Sequence, residues 1–134
     1  MSMKAVLETP RLILRSFTLD DVDAMYQLVT VPDVIRYVGN KPAQSKQDTL
    51  DYLQQHPLRD YQVYGYGRFA CVWKETGQVI GFSGIKFLGE IKETELGYRF
   101  LPEFWGKGLA TEAGQAVIEF AQALGLSRLV AVIH

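Results

Sequence analysis

Cysteine is all but missing from these 134 residues. Cys71 stands alone, so no internal disulfide can form. Histidine is nearly as scarce. His56 and His134 have no neighbouring Cys or His, which argues against a structural metal site. An excess of one charge sign is lacking too: 14 Lys plus Arg face 15 Asp plus Glu, for a net charge of −1. The basic stripe of an electrostatic nucleic-acid binder is therefore not expected. No apolar run approaches the roughly 18 residues of a membrane span, and Met1 to Pro10 holds no apolar leader core. A single thiol and no leader fit a reducing, cytoplasmic compartment. Repeats, low-complexity tracts and Pro/Gly/Ser linkers are absent, so residues 1–134 read as one domain.

What remains is a chain built to fold. Its apolar fraction of 48% argues against disorder, and its length lets it bury roughly two thirds of its unfolded surface. Arg11 to Phe17 alternates as a first strand, with Leu12 and Leu14 on one face and Arg11 and Arg15 on the other. Thr18-Leu19-Asp20-Asp21 has the form of a capping box ahead of a helix whose apolar face holds Val22, Met25, Tyr26 and Val29. Pro32 is placed to open a short helix to about Val38. Ser45 caps a polar helix running to His56, with Leu50 and Leu53 inward, and Pro57 is expected to stop it. Tyr61, Tyr64 and Tyr66 read as a packed aromatic loop, with a substrate pocket as the rival reading. Three strands follow, Gly67–Lys74, Val79–Leu88 and Glu93–Leu101, separated by short turns, so the middle is an antiparallel meander. Gly81 and Gly84 signal a bulge or a close backbone approach. Leu109, Ala113, Ala116, Val117, Phe120, Ala121 and Leu124 then form the apolar stripe of a long helix, with Gly125 at its C-terminal end. Leu129 to Ile133 reads as a final strand, parallel to the strand before the helix. Its open edge predicts a homodimer or poor solubility.

The informative stretch is Glu95 to Ala113, ELGYRFLPEFWGKGLATEA. A strand runs into Gly106-Lys107-Gly108, and the amphipathic helix begins. The first N–H groups of a helix have no internal partner, and the dipole adds partial positive charge there. Two glycines let a ligand approach those amides closely, which favours phosphate or pyrophosphate. Lys107 adds a cation, although it reads equally as a solvated lysine, and Thr111 adds a hydroxyl. A Walker A loop fails at both ends, where it meets Leu101 and Gly108. A dinucleotide fingerprint meets Thr111 at its third glycine and Ser127-Arg128 where the acidic residue belongs.

The same stretch resembles motif A of the GNAT N-acetyltransferase superfamily. The pattern there is Gln or Arg, two residues, Gly, one residue, then Gly or Ala. Trp105-Gly106-Lys107-Gly108-Leu109-Ala110 matches at both small positions, with Trp105 in the first place. That departure, and the opening Thr9-Pro10-Arg11-Leu12-Ile13-Leu14-Arg15, are similar to the branch that includes the ribosomal-protein alanine acetyltransferases. The resemblance implies an α/β (α+β) fold, a mixed and mostly antiparallel sheet flanked by helices. It implies acetyl-CoA as cosubstrate and an amine acceptor, a small molecule or a protein N-terminus. Backbone groups of Tyr98, Arg99 and Phe100 would pair with the pantetheine arm, and amides from Trp105, Gly106, Lys107, Gly108, Leu109, Ala110 and Thr111 would cradle the pyrophosphate. Glu95 matches the glutamate that serves several members as general base. Members normally continue with an Asn-containing turn, a helix and two strands, so a truncated form of the fold is expected here. A non-catalytic acyl-CoA-binding module and an interaction protein using an open sheet edge stand as alternatives.

Overall fold

A computed structural model of the chain describes residues 5–30, 45–88 and 93–126. Alternating apolar residues and short Gly- or Thr-bearing turns give five strands: β1 (Leu7–Glu8), β2 (Leu12–Ser16), β3 (Arg68–Trp73), β4 (Val79–Leu88) and β5 (Glu93–Phe100). They pair antiparallel in sequence order. The two-residue β1 was not legible as a strand. It is folded back on β2 by a turn in which the Leu12 amide donates to Thr9 Oγ1 at 3.0 Å.

Each face of the sheet takes different helices. One face buries Leu12, Leu14, Phe69, Cys71, Ile80, Ile85 and Phe100 against α4 (Leu109–Ala123). Leu109, Ala113, Val117 and Ala121 form the helix's buried stripe at the expected spacing. Leu124 departs from the reading: it is 47% exposed, because Leu126 turns back to donate to Ala121 O and Gly125 to Gln122 O, which closes the helix. The other face buries Ala70 and Phe82 against α1 (Val22–Thr30) and α2 (Lys46–Gln55), through Met25, Leu28 and Leu53.

The capping box is present. Thr18 Oγ1 accepts from the Asp20 amide, and the Asp21 carboxylate accepts from the Thr18 amide at 2.9 Å. It opens a 3-10 turn, Leu19–Asp21, that runs into α1. Ser45 caps α2 through the Asp48 amide at 3.1 Å, and Thr49 joins Leu53 on its buried side while Leu50 is half-buried.

Pro57 corrects the sequence reading. It stops α2 and also occupies the first turn of α3 (Pro57–Tyr64), where a missing N–H costs nothing. Tyr61 and Tyr64 are therefore helical, not part of a loop. Tyr61 is buried; its hydroxyl accepts from the Phe17 amide and donates to the Arg68 carbonyl, tying α3 to β2 and β3. The short helix read at 32–38 and the final strand read at 129–133, with its parallel pairing and its homodimer edge, lie outside the described residues. No helix among the described residues is long and apolar enough to cross a membrane.

Candidate functional site

β5 leads to the site. Leu101 closes the ladder by donating to Ile80 O at 2.9 Å. A 3-10 turn, Pro102–Phe104, then lifts the chain off the sheet. Gly106 and Gly108 follow with φ of +76° and +77°, the left-handed conformation that L side chains rarely adopt. Gly108 is the N-cap of α4, and no side chain bonds to the helix's first amides. Those N–H groups and the positive end of the helix dipole therefore face outward. A Cβ at Gly106 would meet nothing within 4 Å, so the space in front of this turn is open.

That space is a cavity of about 310 Å³. Tyr98, Phe100, Phe104 and Trp105 wall it on the strand side; Gly106, Gly108, Leu109 and Ala110 wall it at the helix mouth. Most of the residues expected to bind a cosubstrate are thus brought together. Lys107 and Thr111 are exposed and lie outside the wall. Arg99 is on the other face of the sheet, its guanidinium carbon 5.9 Å from the Phe82 ring centroid. Its carbonyl is turned toward β4, 2.3 Å from where a Cβ on Gly81 would sit. Backbone groups alternate along a strand, so Tyr98 and Phe100 present theirs to the outer edge of β5. Arg99 Nη1 donates to Tyr98 O at 3.2 Å, and Trp105 Nε1 donates to Phe100 O at 2.7 Å. Glu95 pairs with Lys86 in the β4–β5 ladder.

Three contributions escaped the sequence reading. Phe104 is a cavity wall, held edge-on against Trp73 with centroids 5.4 Å apart. Trp105 adds a side-chain role, its indole N–H fixing the last carbonyl of β5. The third is a strap across the helix mouth. Glu112 accepts from Thr9 Oγ1 at 2.6 Å, from the Arg11 amide at 2.9 Å and from Arg11 Nε at 2.8 Å. Arg11 Nη2 donates in turn to Lys107 O at 2.9 Å, inside the glycine turn. Burial would raise the Glu112 carboxyl, but the bonds from Thr9 and Arg11 outweigh it and hold the carboxyl below its usual range. Thr9 and Arg11 belong to one motif string and Glu112 to the other, so the two strings recognised some ninety positions apart touch in space.

Cys71 is buried, and burial pushes its thiol well above the usual range. It is a core residue and not a nucleophile. Among the described residues, no cluster of three His, Cys, Asp or Glu side chains is placed to hold a metal ion.

Residues 11–134 match the family described as the acetyltransferase (GNAT) domain. The chain belongs to the GNAT acetyltransferase family. Among its GNAT relatives, the uncharacterized N-acetyltransferase YoaA of Bacillus subtilis (strain 168) is 32% identical over 98% of this chain and 75% of its own length. The uncharacterized N-acetyltransferase p20 of Bacillus licheniformis is 34% identical over 96% of this chain and 72% of its own. An acetyltransferase from Agrobacterium tumefaciens str. C58 superposes with a TM-score of 0.80 at 29% identity, covering 95% of this chain and 72% of that one. A ribosomal L7/L12 alpha-N-protein acetyltransferase solved in complex with coenzyme A gives a TM-score of 0.70 at 20% identity, covering 95% and 73%. That last likeness is one of fold.

Proposed function

We propose that this GNAT chain transfers an acetyl group from acetyl-CoA to a primary amine by direct attack. The observation that carries the reading is the uncapped mouth of α4, opened by two left-handed glycines onto the 310 Å³ cavity. Main-chain N–H groups from Gly106 to Thr111 would hold the pyrophosphate. Tyr98 and Phe100 would pair with the pantetheine arm as an added strand pairs with a sheet edge. Arg99 contributes spacing to that edge and directs its own main chain toward β4. The family's acetyl donor and the coenzyme-bound structural neighbour support the choice of coenzyme A over other phosphate ligands.

In this reading Glu95 takes a proton from the ammonium of the acceptor, directly or through a water. The freed nitrogen lone pair attacks the thioester carbonyl carbon. A C–N bond forms, the C–S bond breaks, the electron pair leaves on the sulfur of coenzyme A, and the second proton of the nitrogen passes to that thiolate, directly or through water. A main-chain N–H on β5 would polarise the carbonyl oxygen.

Calorimetry with coenzyme A, followed by thiol release on adding amines, tests the proposal. Gly108→Glu is expected to abolish coenzyme A binding, because the side chain blocks the approach and adds negative charge. Glu95→Gln is expected to leave that affinity intact and lower kcat by about 10²–10⁴-fold. Unchanged affinity in Gly108→Glu overturns the placement of the pyrophosphate. Binding without any thiol release leaves an acyl-CoA-binding module.

A further inference from the structure

Phe100 is the last residue of β5, and the peptide that joins it to Leu101 is held from both sides. The N–H of that peptide belongs to Leu101 and donates inward, to Ile80 O on β4 at 2.9 Å. Its C=O belongs to Phe100 and points the other way, to the outer edge, where Trp105 Nε1 donates to it at 2.7 Å. The two bonds lie at opposite ends of one planar unit, so together they fix its tilt. Strand ends are where a ladder opens first. This one is closed by a side chain that comes from beyond the strand.

Trp105 returns to β5 by a short route. In the turn at Pro102–Phe104, the Phe104 amide donates to Leu101 O at 2.9 Å and the Trp105 amide to Pro102 O at 3.0 Å. The indole is half exposed, yet its bond sets it along the cavity, which it lines with Tyr98, Phe100 and Gly106. Trp105 is also the residue before Gly106, the first of the left-handed pair. It therefore ties the glycine turn at the helix mouth to the outer edge of β5. The turn is held from its far side as well, by Arg11 Nη2 on Lys107 O at 2.9 Å. A carbonyl oxygen has two lone pairs. The indole takes one at Phe100 O and, among the described residues, the second is left for a donor arriving along the edge.

We propose that Trp105 is a positioning residue. Its indole N–H presets the Phe100 carbonyl to accept an amide N–H of the pantetheine arm, and so lets the cavity tell a nucleotide that carries this arm from one that lacks it. This deepens the coenzyme A reading above and rests on it. The pyrophosphate end needs only the main-chain amides of the turn. The arm must pair with the end of a strand, and ordering that end at the moment of binding would cost affinity. A carbonyl already fixed by the protein removes the cost. The ring and its N–H can be separated chemically. Phe keeps an aromatic wall and loses the donor. Gln loses the ring, but its amide nitrogen stands as many bonds from Cα as the indole Nε1 does, and it donates.

The test crosses these two properties. Calorimetry reads wild type, Trp105→Phe and Trp105→Gln with coenzyme A and with adenosine 3′,5′-bisphosphate, which has no arm. The wild type is expected to prefer coenzyme A. In Trp105→Phe that preference is expected to fall about five-fold, the effect of one neutral hydrogen bond, and in Trp105→Gln to be regained. Binding of the bisphosphate by the same preparations reports that the helix mouth is intact. A preference kept in Trp105→Phe overturns the proposal, and if Trp105→Gln then loses it, the ring acts only as an apolar wall. A preference lost in both variants, or loss of both ligands in Trp105→Phe, also overturns it, because the indole then packs the turn and does not serve the arm. Each of these results leaves the coenzyme reading standing, since the wild type still binds. A wild-type protein that does not bind coenzyme A, or binds the bisphosphate as tightly, overturns that reading and the role of Trp105 with it.

Discussion

Glu112 gathers its partners from the far end of the sequence. Thr9, the Arg11 amide and the Arg11 guanidinium all donate to it, and Arg11 carries the link onward to Lys107 O. The turn it reaches contains two glycines, which lose more conformational freedom on ordering than other residues. A bond from outside the turn reduces that loss at the moment of ligand binding. Glu112→Gln keeps the shape and removes the charge. It is expected to cost about 1–2 kcal/mol of stability and to weaken coenzyme A binding beyond that of a Gln115→Ala control on the same helix. The sign of the pH effect follows from a folded carboxyl held below its usual range. The stabilisation is complete above the unfolded value near pH 4.3, and is lost as pH falls through the folded value. Urea midpoints measured from pH 6 down to pH 3 should therefore drop less steeply in the variant than in the wild type.

At the scale of elements, β4 lies against its neighbours more closely than a side chain allows. A Cβ on Gly81 would stand 2.3 Å from Arg99 O and 2.5 Å from Phe100 Cδ1. Gly81→Ala is expected to destabilise by about 1–3 kcal/mol, read as a lower urea midpoint, and to loosen the stretch of β5 that borders the cavity. Strong local signals made such features legible. Gly81 and Gly84 announced a close approach, Thr18 and Ser45 announced caps, and the Leu109 to Ala121 stripe announced α4. The helix mouth was legible for the same reason, since glycine pairs and amphipathic periods are local patterns. Other features depend on distant partners. β1 is two residues long and exists only through pairing with Ile13 and Leu14. Pro57 fits a helix end and a helix start equally well, and the buried hydroxyl of Tyr61 between Phe17 and Arg68 selects the start. The Arg11–Glu112 pairing was hidden likewise, since each residue alone reads as a solvent-facing charge.

The whole molecule is a sheet with two unlike faces. α4 covers one and brings the glycine turn to the end of β5; α1 and α2 cover the other. Ligand on one side should therefore be felt on one side first. Hydrogen exchange with and without coenzyme A is expected to slow in peptides over residues 98–111. Peptides over residues 46–55, in α2 on the other face, should exchange at unchanged rates. Slowing of both regions by the coenzyme alone would mean that the two faces do not act separately. The same ligand should raise the unfolding free energy by about 2.7 kcal/mol at a concentration one hundred times Kd.

Trp105 stands at the lip of the cavity with half its surface exposed, and its indole N–H is bonded to the end of β5. The other tryptophan, Trp73, is half-buried against Phe104. The protein thus carries a built-in optical reporter. Excitation at the red edge of tyrosine absorption would follow occupancy of the site through the colour and intensity of one indole's emission, with Trp73→Phe leaving that signal alone and no label attached.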